Sequence, residues 1–206
     1  MKEKKQTSFM ADAIRLMLIT MIAGLLLGIV YVVTLDPIAK AQEAATQKAY
    51  MAVYEGDVAF SDNPDSDSLT ASANADIAAQ GFGNVLINKV VDVRDASGNV
   101  VGHIVNSTSK EGFGGAVSIS VGIQADGTLN GIAFLSISES AGLGMNARDT
   151  DWYKQFAGRK ADKYSVTKTG STNDSEIDAI SGATITSRAV TNAVNAAVWF
   201  AASCLN

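Results

Sequence analysis

The sequence predicts an α+β fold, an antiparallel sheet with packed helices, preceded by a single N-terminal transmembrane helix. Three observations carry that expectation. Leu16 to Leu35 is a run of 20 residues without a charge. Four segments with strand-like alternation follow one another between Val85 and Ser138, separated by turn formers. Near the C-terminus, small and apolar residues at 189, 190, 193, 194, 197, 198 and 201 recur at helical spacing.

The apolar run comes first. At 1.5 Å per residue a 20-residue helix reaches roughly 30 Å, the hydrocarbon thickness of a bilayer. Lys2, Lys4, Lys5 and Arg15 precede it, whereas Asp36, Lys40 and Glu43 follow it. The positive-inside rule then places residues 1–15 in the cytoplasm, 16–35 in the cell (inner) membrane and the remainder outside. Ala39-Lys40-Ala41 has the small-x-small look of a leader cleavage site. Leader cores run to about 7–15 apolar residues, so the length favours a retained anchor. Pro37 suits the end of the membrane helix. Gly24 and Gly28 are spaced as in close-packing membrane helices, though glycine is also simply common in such helices; both readings stay open.

Beyond the anchor, residues 36–80 read as a membrane-proximal helix and polar linker. Ile38 to Tyr54 is alanine-rich and free of glycine and proline, as a helix requires. Residues 55–68 are acidic, carry Pro64 and read as a loop. Leu69 to Gln80 follows as a short helix. The folded domain is expected over residues 81–206. Strands are expected at Val85–Arg94, Asn99–Ser107, Ala116–Gln124 and Leu129–Ser138, with Asp126-Gly127 as a hairpin turn. A helix from Arg188 to Ala202, capped by Thr186 or Ser187, would pack on one face of the sheet. Arg188, Thr191, Asn192 and Asn195 would form its polar face.

Composition excludes several functions. Of 16 Lys/Arg and 21 Asp/Glu, four and two lie before residue 36, which leaves a net charge of −7 beyond it. No basic stripe is available for nucleic acid. Cys204 is the single cysteine, so disulfide, zinc and iron–sulfur frameworks are not expected, and no metal site is read. His103, the single histidine, reads as an exposed strand residue. Gly112-Phe113-Gly114-Gly115 lacks the Lys-Ser/Thr of a triphosphate loop.

Two segments carry chemistry. One is Asp178-Ala179-Ile180-Ser181-Gly182-Ala183-Thr184, a small-residue turn just ahead of the C-terminal helix. A group on Thr184 would sit near a helix N-terminus, which favours an anion, with Arg188 one turn later to neutralise it. The other is Glu139-Ser140-Ala141-Gly142-Leu143-Gly144-Met145, a tight loop able to offer amides and one apolar side chain to a flat ring. Trp152, Tyr153 and Phe156 follow on a short helix and read as core.

The Asp178–Thr184 run resembles the Asp-x-x-Ser/Thr-Gly-Ala-Thr signature at which a flavin transferase esterifies FMN onto the last threonine. With the single anchor, the Gly-Phe-Gly-Gly segment, the Val121-Gly122-Ile123 to Asp126-Gly127 hairpin and the Glu139–Gly144 loop, the chain resembles the G-subunit family of the Rnf complex. That complex is the membrane-bound, ion-translocating ferredoxin–NAD oxidoreductase of bacteria and some archaea. A sister family is the C subunit of the sodium-translocating NADH:quinone oxidoreductase. The resemblance departs at Ser140-Ala141, where Thr-Pro is usual, and at Phe113, where Tyr is usual.

The resemblance implies an electron-carrying subunit with FMN held covalently on Thr184 by a phosphodiester. Its implied cofactor-binding residues are Thr184, Ser181, Gly182, Ala183, Asp178, Thr186, Arg188, Glu139, Gly142, Leu143 and Gly144. Asp178 could offer the transferase a carboxylate contact. Implied partners are the membrane, the other Rnf subunits and a flavin transferase. No catalytic residue is assigned, because the isolated chain shows no substrate site. Three alternatives remain: a flavin-free membrane adaptor, a self-contained flavin reductase, and the FMN subunit of a related quinone oxidoreductase. The reductase would need a dinucleotide Gly-x-Gly-x-x-Gly unit, which the sequence lacks.

Overall fold

A computed structural model describes residues 9–54 and 56–205. The chain divides into two compact units, Met1–Ala45 and Thr46–Asn206. Lys2, Lys4 and Lys5, on which the expected orientation rests, lie outside the described residues.

Helix α1 runs from Phe9 to Val53. Within it the apolar run is exposed along its length, as expected for a helix long and apolar enough to cross a membrane. Thr20 donates to the carbonyls of Leu16 and Met17, and Thr34 to those of Val30 and Tyr31. The hydroxyls are thereby satisfied inside the helix, which an apolar surrounding demands. The expected break at Pro37 is absent. The helix passes through this proline, which removes one N–H from the ladder without ending it.

In the unit from Thr46 onward, five strands form one antiparallel meander in the order β1-β2-β3-β4-β5. They are β1 (Ala59–Asp62), β2 (Val85–Arg94), β3 (Val100–Ser109), β4 (Val117–Gln124) and β5 (Leu129–Ser136). The last four match the sequence expectation to within two residues at each end. The first corrects it, because Ala59–Asp62 lies in the stretch read as a loop. It pairs with Val91–Arg94 at the sheet edge. Helix α2 (Ser66–Asp76) and a 3₁₀ turn (Ile77–Gln80) follow β1.

Both faces of the sheet are covered. On one lies helix α4 (Thr184–Cys204), whose Val190, Ala193, Val194 and Phe200 pack on Val105, Ile119 and Val121 in the main core. Ser107 on β3 donates to the Ala193 carbonyl at 3.0 Å. On the other face, Tyr50, Val53 and Tyr54 pack on Val91, Val93 and Ile104. Tyr54 donates its hydroxyl to the Ile123 carbonyl at 2.8 Å, and Asn106 donates to the Tyr50 hydroxyl at 2.8 Å.

Helix α4 departs from its expected form in two ways. It begins at Thr184, four residues before Arg188, with Ala183 at the N-cap. Its expected polar face is also half sequestered, since Thr191 and Asn195 are buried. Asn195 accepts from the Tyr164 N–H at 2.7 Å and donates to the Tyr164 carbonyl at 2.9 Å. This replaces strand pairing for a loop that must cross the helix.

The segment between sheet and helix contains α3 (Asn146–Asp149), a 3₁₀ turn (Asp151–Phe156), and the short parallel pair β6 (Ser165–Thr167) and β7 (Glu176–Asp178). Phe156 is fully buried between Trp152 and Tyr164, each meeting it edge-on at 5.7 and 6.1 Å. The aromatic trio belongs to the core as expected, on a 3₁₀ turn where the spacing predicts a short helix. His103 corrects its expectation of exposure. It is half-buried, with Nδ1 3.1 Å from the buried Asp92 carboxylate, which also accepts from Asn63 and Arg94.

Candidate functional site

The site is built where three loops meet at the N-terminus of α4. The loop after β5 turns tightly, with the N–H groups of Leu143 and Met145 both donating to the Ser140 carbonyl. Gly142 takes φ +74°, the left-handed conformation that a side chain would resist. The turn before α4 is closed by Ala183 N–H on the Ile180 carbonyl at 3.0 Å, with Gly182 also at φ +74°. These two loops touch: a Cβ on Gly182 would lie 3.1 Å from Leu143 Cδ2.

The third loop, Gly112–Gly115, is held by Glu139. Its carboxylate accepts the N–H of Phe113 at 2.8 Å through Oε1 and that of Gly114 at 3.1 Å through Oε2. Close packing explains the glycines here. A Cβ on Gly112 or Gly144 would come within 2.8 Å of a Glu139 carboxylate oxygen. Glu139 thus fastens one wall of the site to another.

Between the loops lies a cleft of about 560 Å³. Its lining includes Phe113, Glu139, Leu143, Gly144, Lys168 and the whole stretch from Ala179 to Thr186. Phe113, Leu143 and Ile185 are 71%, 47% and 53% exposed. Among the described residues after α1, the other large apolar side chains so exposed number one, Val100. The apolar surface left open after α1 is therefore concentrated at the cleft.

The hydroxyls of the motif differ in access. Ser181 is exposed, Thr184 half-buried and Thr186 1% exposed. Thr184 opens α4, and among the described residues no protein acceptor meets the N–H groups of Thr184, Ile185 and Thr186. They face the end of the helix where its dipole favours an anion. Lys168, just after β6, is the one basic residue in the lining.

The cleft thus gathers Ser181, Gly182, Ala183, Thr184, Thr186, Glu139, Leu143 and Gly144 from the sequence expectation. It leaves out Gly142, Asp178 and Arg188. Asp178 is committed elsewhere: its carboxylate accepts from the N–H and hydroxyl of Ser171, and its carbonyl from Trp152 Nε1. Arg188 is exposed one turn along α4, outside the lining, so the cation at the cleft is Lys168. Sequence reasoning missed Lys168, Ile185 and the lining role of Phe113. Only Phe113, within a glycine cluster, carried a local signal.

The cleft fits a ligand of the size and character of FMN. Its volume lies within the roughly 300–1,000 Å³ of such sites. Exposed apolar side chains flank it, and helix-terminal amides with one lysine supply a seat for phosphate.

Comparison with known proteins is consistent with that chemistry. Residues 112–198 match the family model described as FMN-binding domain. The chain is 39% identical over 110 residues to the G subunit of the Na⁺-translocating ferredoxin:NAD⁺ oxidoreductase complex of Acetobacterium woodii, covering 52% of this chain and 53% of that one. It is 31% identical over 197 residues to the G subunit of the proton-translocating ferredoxin:NAD⁺ oxidoreductase complex of Clostridium ljungdahlii, covering 96% and 94%. The chain spans about half the length of the first relative, as of several further ones, and nearly all of the second. Among solved structures, Shewanella oneidensis NqrC matches at 25% identity over 54% of each chain, with a TM-score of 0.45.

Proposed function

The chain belongs to the G-subunit family of ion-translocating ferredoxin:NAD⁺ oxidoreductase complexes, and from that premise we propose that it is a membrane-anchored electron-transfer subunit with FMN joined to Thr184 by a phosphodiester. The observation that carries the reading is the coincidence of the half-buried Thr184, unpaired helix-terminal amides and open apolar walls in one cleft. When bound, FMN supplies reversible electron acceptance and release.

The protein's own residues position the group. Thr184 anchors it at the first residue of α4. The amides of Thr184, Ile185 and Thr186 and the ammonium of Lys168 offset the phosphodiester charge. Phe113, Leu143 and Ile185 shield apolar ring surface from water. Thr184 is favoured over its neighbours because Thr186 is buried and Ser181 lies outside the helix. A threonine hydroxyl is a weak nucleophile, so a separate flavin transferase must activate it.

Helix α1 anchors the chain by residues 16–35, with residues 1–15 cytoplasmic and the flavin domain on the extracytoplasmic side among the other subunits. Lys2, Lys4, Lys5 and Arg15 support that orientation.

The test is the intact mass of the chain co-expressed with a flavin transferase, beside a Thr184→Ala variant. A gain of one FMN less one water, absent from the variant, supports the reading. An unmodified chain beside an active transferase discards it and favours a flavin-free adaptor.

A further inference from the structure

Ser187 is fully buried, and its hydroxyl is used twice. It accepts the Ile180 N–H at 2.9 Å and donates to the Ala183 carbonyl at 3.0 Å. The same carbonyl accepts the Ser187 N–H at 3.0 Å. One side chain therefore closes the Ile180–Ala183 turn onto the first turn of α4. Two donors from Ser187 aim the Ala183 carbonyl along the helix. Because the peptide that joins Ala183 to Thr184 is planar and trans, its N–H must point the opposite way. The Thr184 N–H is thus turned out of the helix end.

We propose that Ser187 is a positioning residue for modification of Thr184, acting through the Ala183–Thr184 peptide without touching the flavin. The inference rests on the proposed flavin attachment. In that step the Thr184 Oγ–phosphorus bond forms as the pyrophosphate bond of a flavin adenine dinucleotide donor breaks. AMP leaves, and the hydroxyl proton passes to a base of the transferase. Ser187 fixes the orientation of the N–H beside the ester oxygen. It also fixes the backbone from which the hydroxyl projects, which lowers the ordering required at the transition state.

The experiment compares wild type, Ser187→Ala, Ser187→Thr and Thr184→Ala, each folded by circular dichroism well below its melting temperature. Purified transferase and flavin adenine dinucleotide are supplied, and the initial rate of mass gain is read. Ser187→Ala is expected to slow modification about tenfold or more, the rate equivalent of a lost buried hydrogen bond. Ser187→Thr, which keeps the hydroxyl, restores the rate. Equal rates for wild type and Ser187→Ala overturn the inference, whatever the change in melting temperature. If Ser187→Ala fails to fold, Ser187→Cys, near in size but a weak hydrogen-bonding group, decides by the same comparison. No mass gain in wild type instead removes the underlying reading of Thr184, a different result from equal rates.

Discussion

Glu139 accepts the backbone N–H of Phe113 at 2.8 Å across 26 residues of sequence. With its second oxygen on Gly114, it makes the Gly112–Gly115 loop a fixed wall of the cleft. Glu139→Ala removes both acceptors and is expected to cost about 1–2 kcal/mol, allowing for its partial exposure. Amide hydrogen exchange checks this directly: Phe113 and Gly114 should lose protection while the β3–β4 ladder keeps its own. Unchanged protection at both amides would show that the loop holds itself.

Gly102 and Gly122 mark where Tyr54 and Val53 lie directly on the sheet. A Cβ on Gly122 would overlap Val53 Cγ1, and one on Gly102 would overlap the Tyr54 hydroxyl and the Ile123 carbonyl. Alanine at either position should destabilise the domain by about 1–3 kcal/mol, the usual range for overpacking. Gly102→Ala should be the worse, because one of its obstacles is backbone. Urea denaturation of a fragment beginning near Asp36 gives both values, and reversed severity would contradict the packing described.

The same contacts show what could and could not be read from sequence. Strands β2 to β5 are legible because each alternates and each is closed by local turn chemistry, such as Asp126 accepting the Thr128 N–H. Strand β1 is not, since Ala-Phe-Ser-Asp among acidic turn formers acquires strand geometry only from Val91–Arg94 beside it. The start of α4 reads too late in the sequence for a related reason. Ser187 has the chemistry of a cap, but its hydroxyl reaches back to residues 180 and 183. Lys168 arrives at the cleft through a three-residue parallel pair that no periodicity announces. The Thr184 motif is visible because its small residues are contiguous, whereas Glu139 meets its partners only through the fold.

Tyr54 gives the domain a distinct alkaline behaviour. Burial, with a smaller contribution from the Asp126 carboxylate, pushes its phenol up to about 12 from the usual 10.0. Below pH 10 both folded and unfolded chains hold the proton, and Tyr54 adds no pH dependence. Between about pH 10 and 12 the unfolded chain releases it first, so stability falls as pH rises, by roughly 2–3 kcal/mol in all. Tyr54→Phe cannot ionise. It should be less stable than wild type by about 1 kcal/mol at pH 7, where the bond to Ile123 is lost, and lose less between pH 10 and 12. Urea midpoints at pH 7, 10 and 12 measure both, and parallel curves would assign the alkaline loss to other groups.

Lys168 and Arg188 offer a direct contrast, because sequence spacing favours Arg188 as the partner of a phosphate on Thr184 and the cleft contains Lys168. An exposed cation near a helix-terminal anion contributes about 0.3–1 kcal/mol at low salt. Lys168→Gln should therefore weaken the seat for the phosphodiester by about two- to fivefold, read as a slower initial rate of flavin attachment. Raising the salt concentration should narrow the difference from wild type, since the interaction is screened. Arg188→Gln should leave the rate unchanged, because its side chain stands outside the lining. The opposite order would place the phosphate along the flank of α4 beside Arg188, with the ring lying away from Phe113 and Leu143.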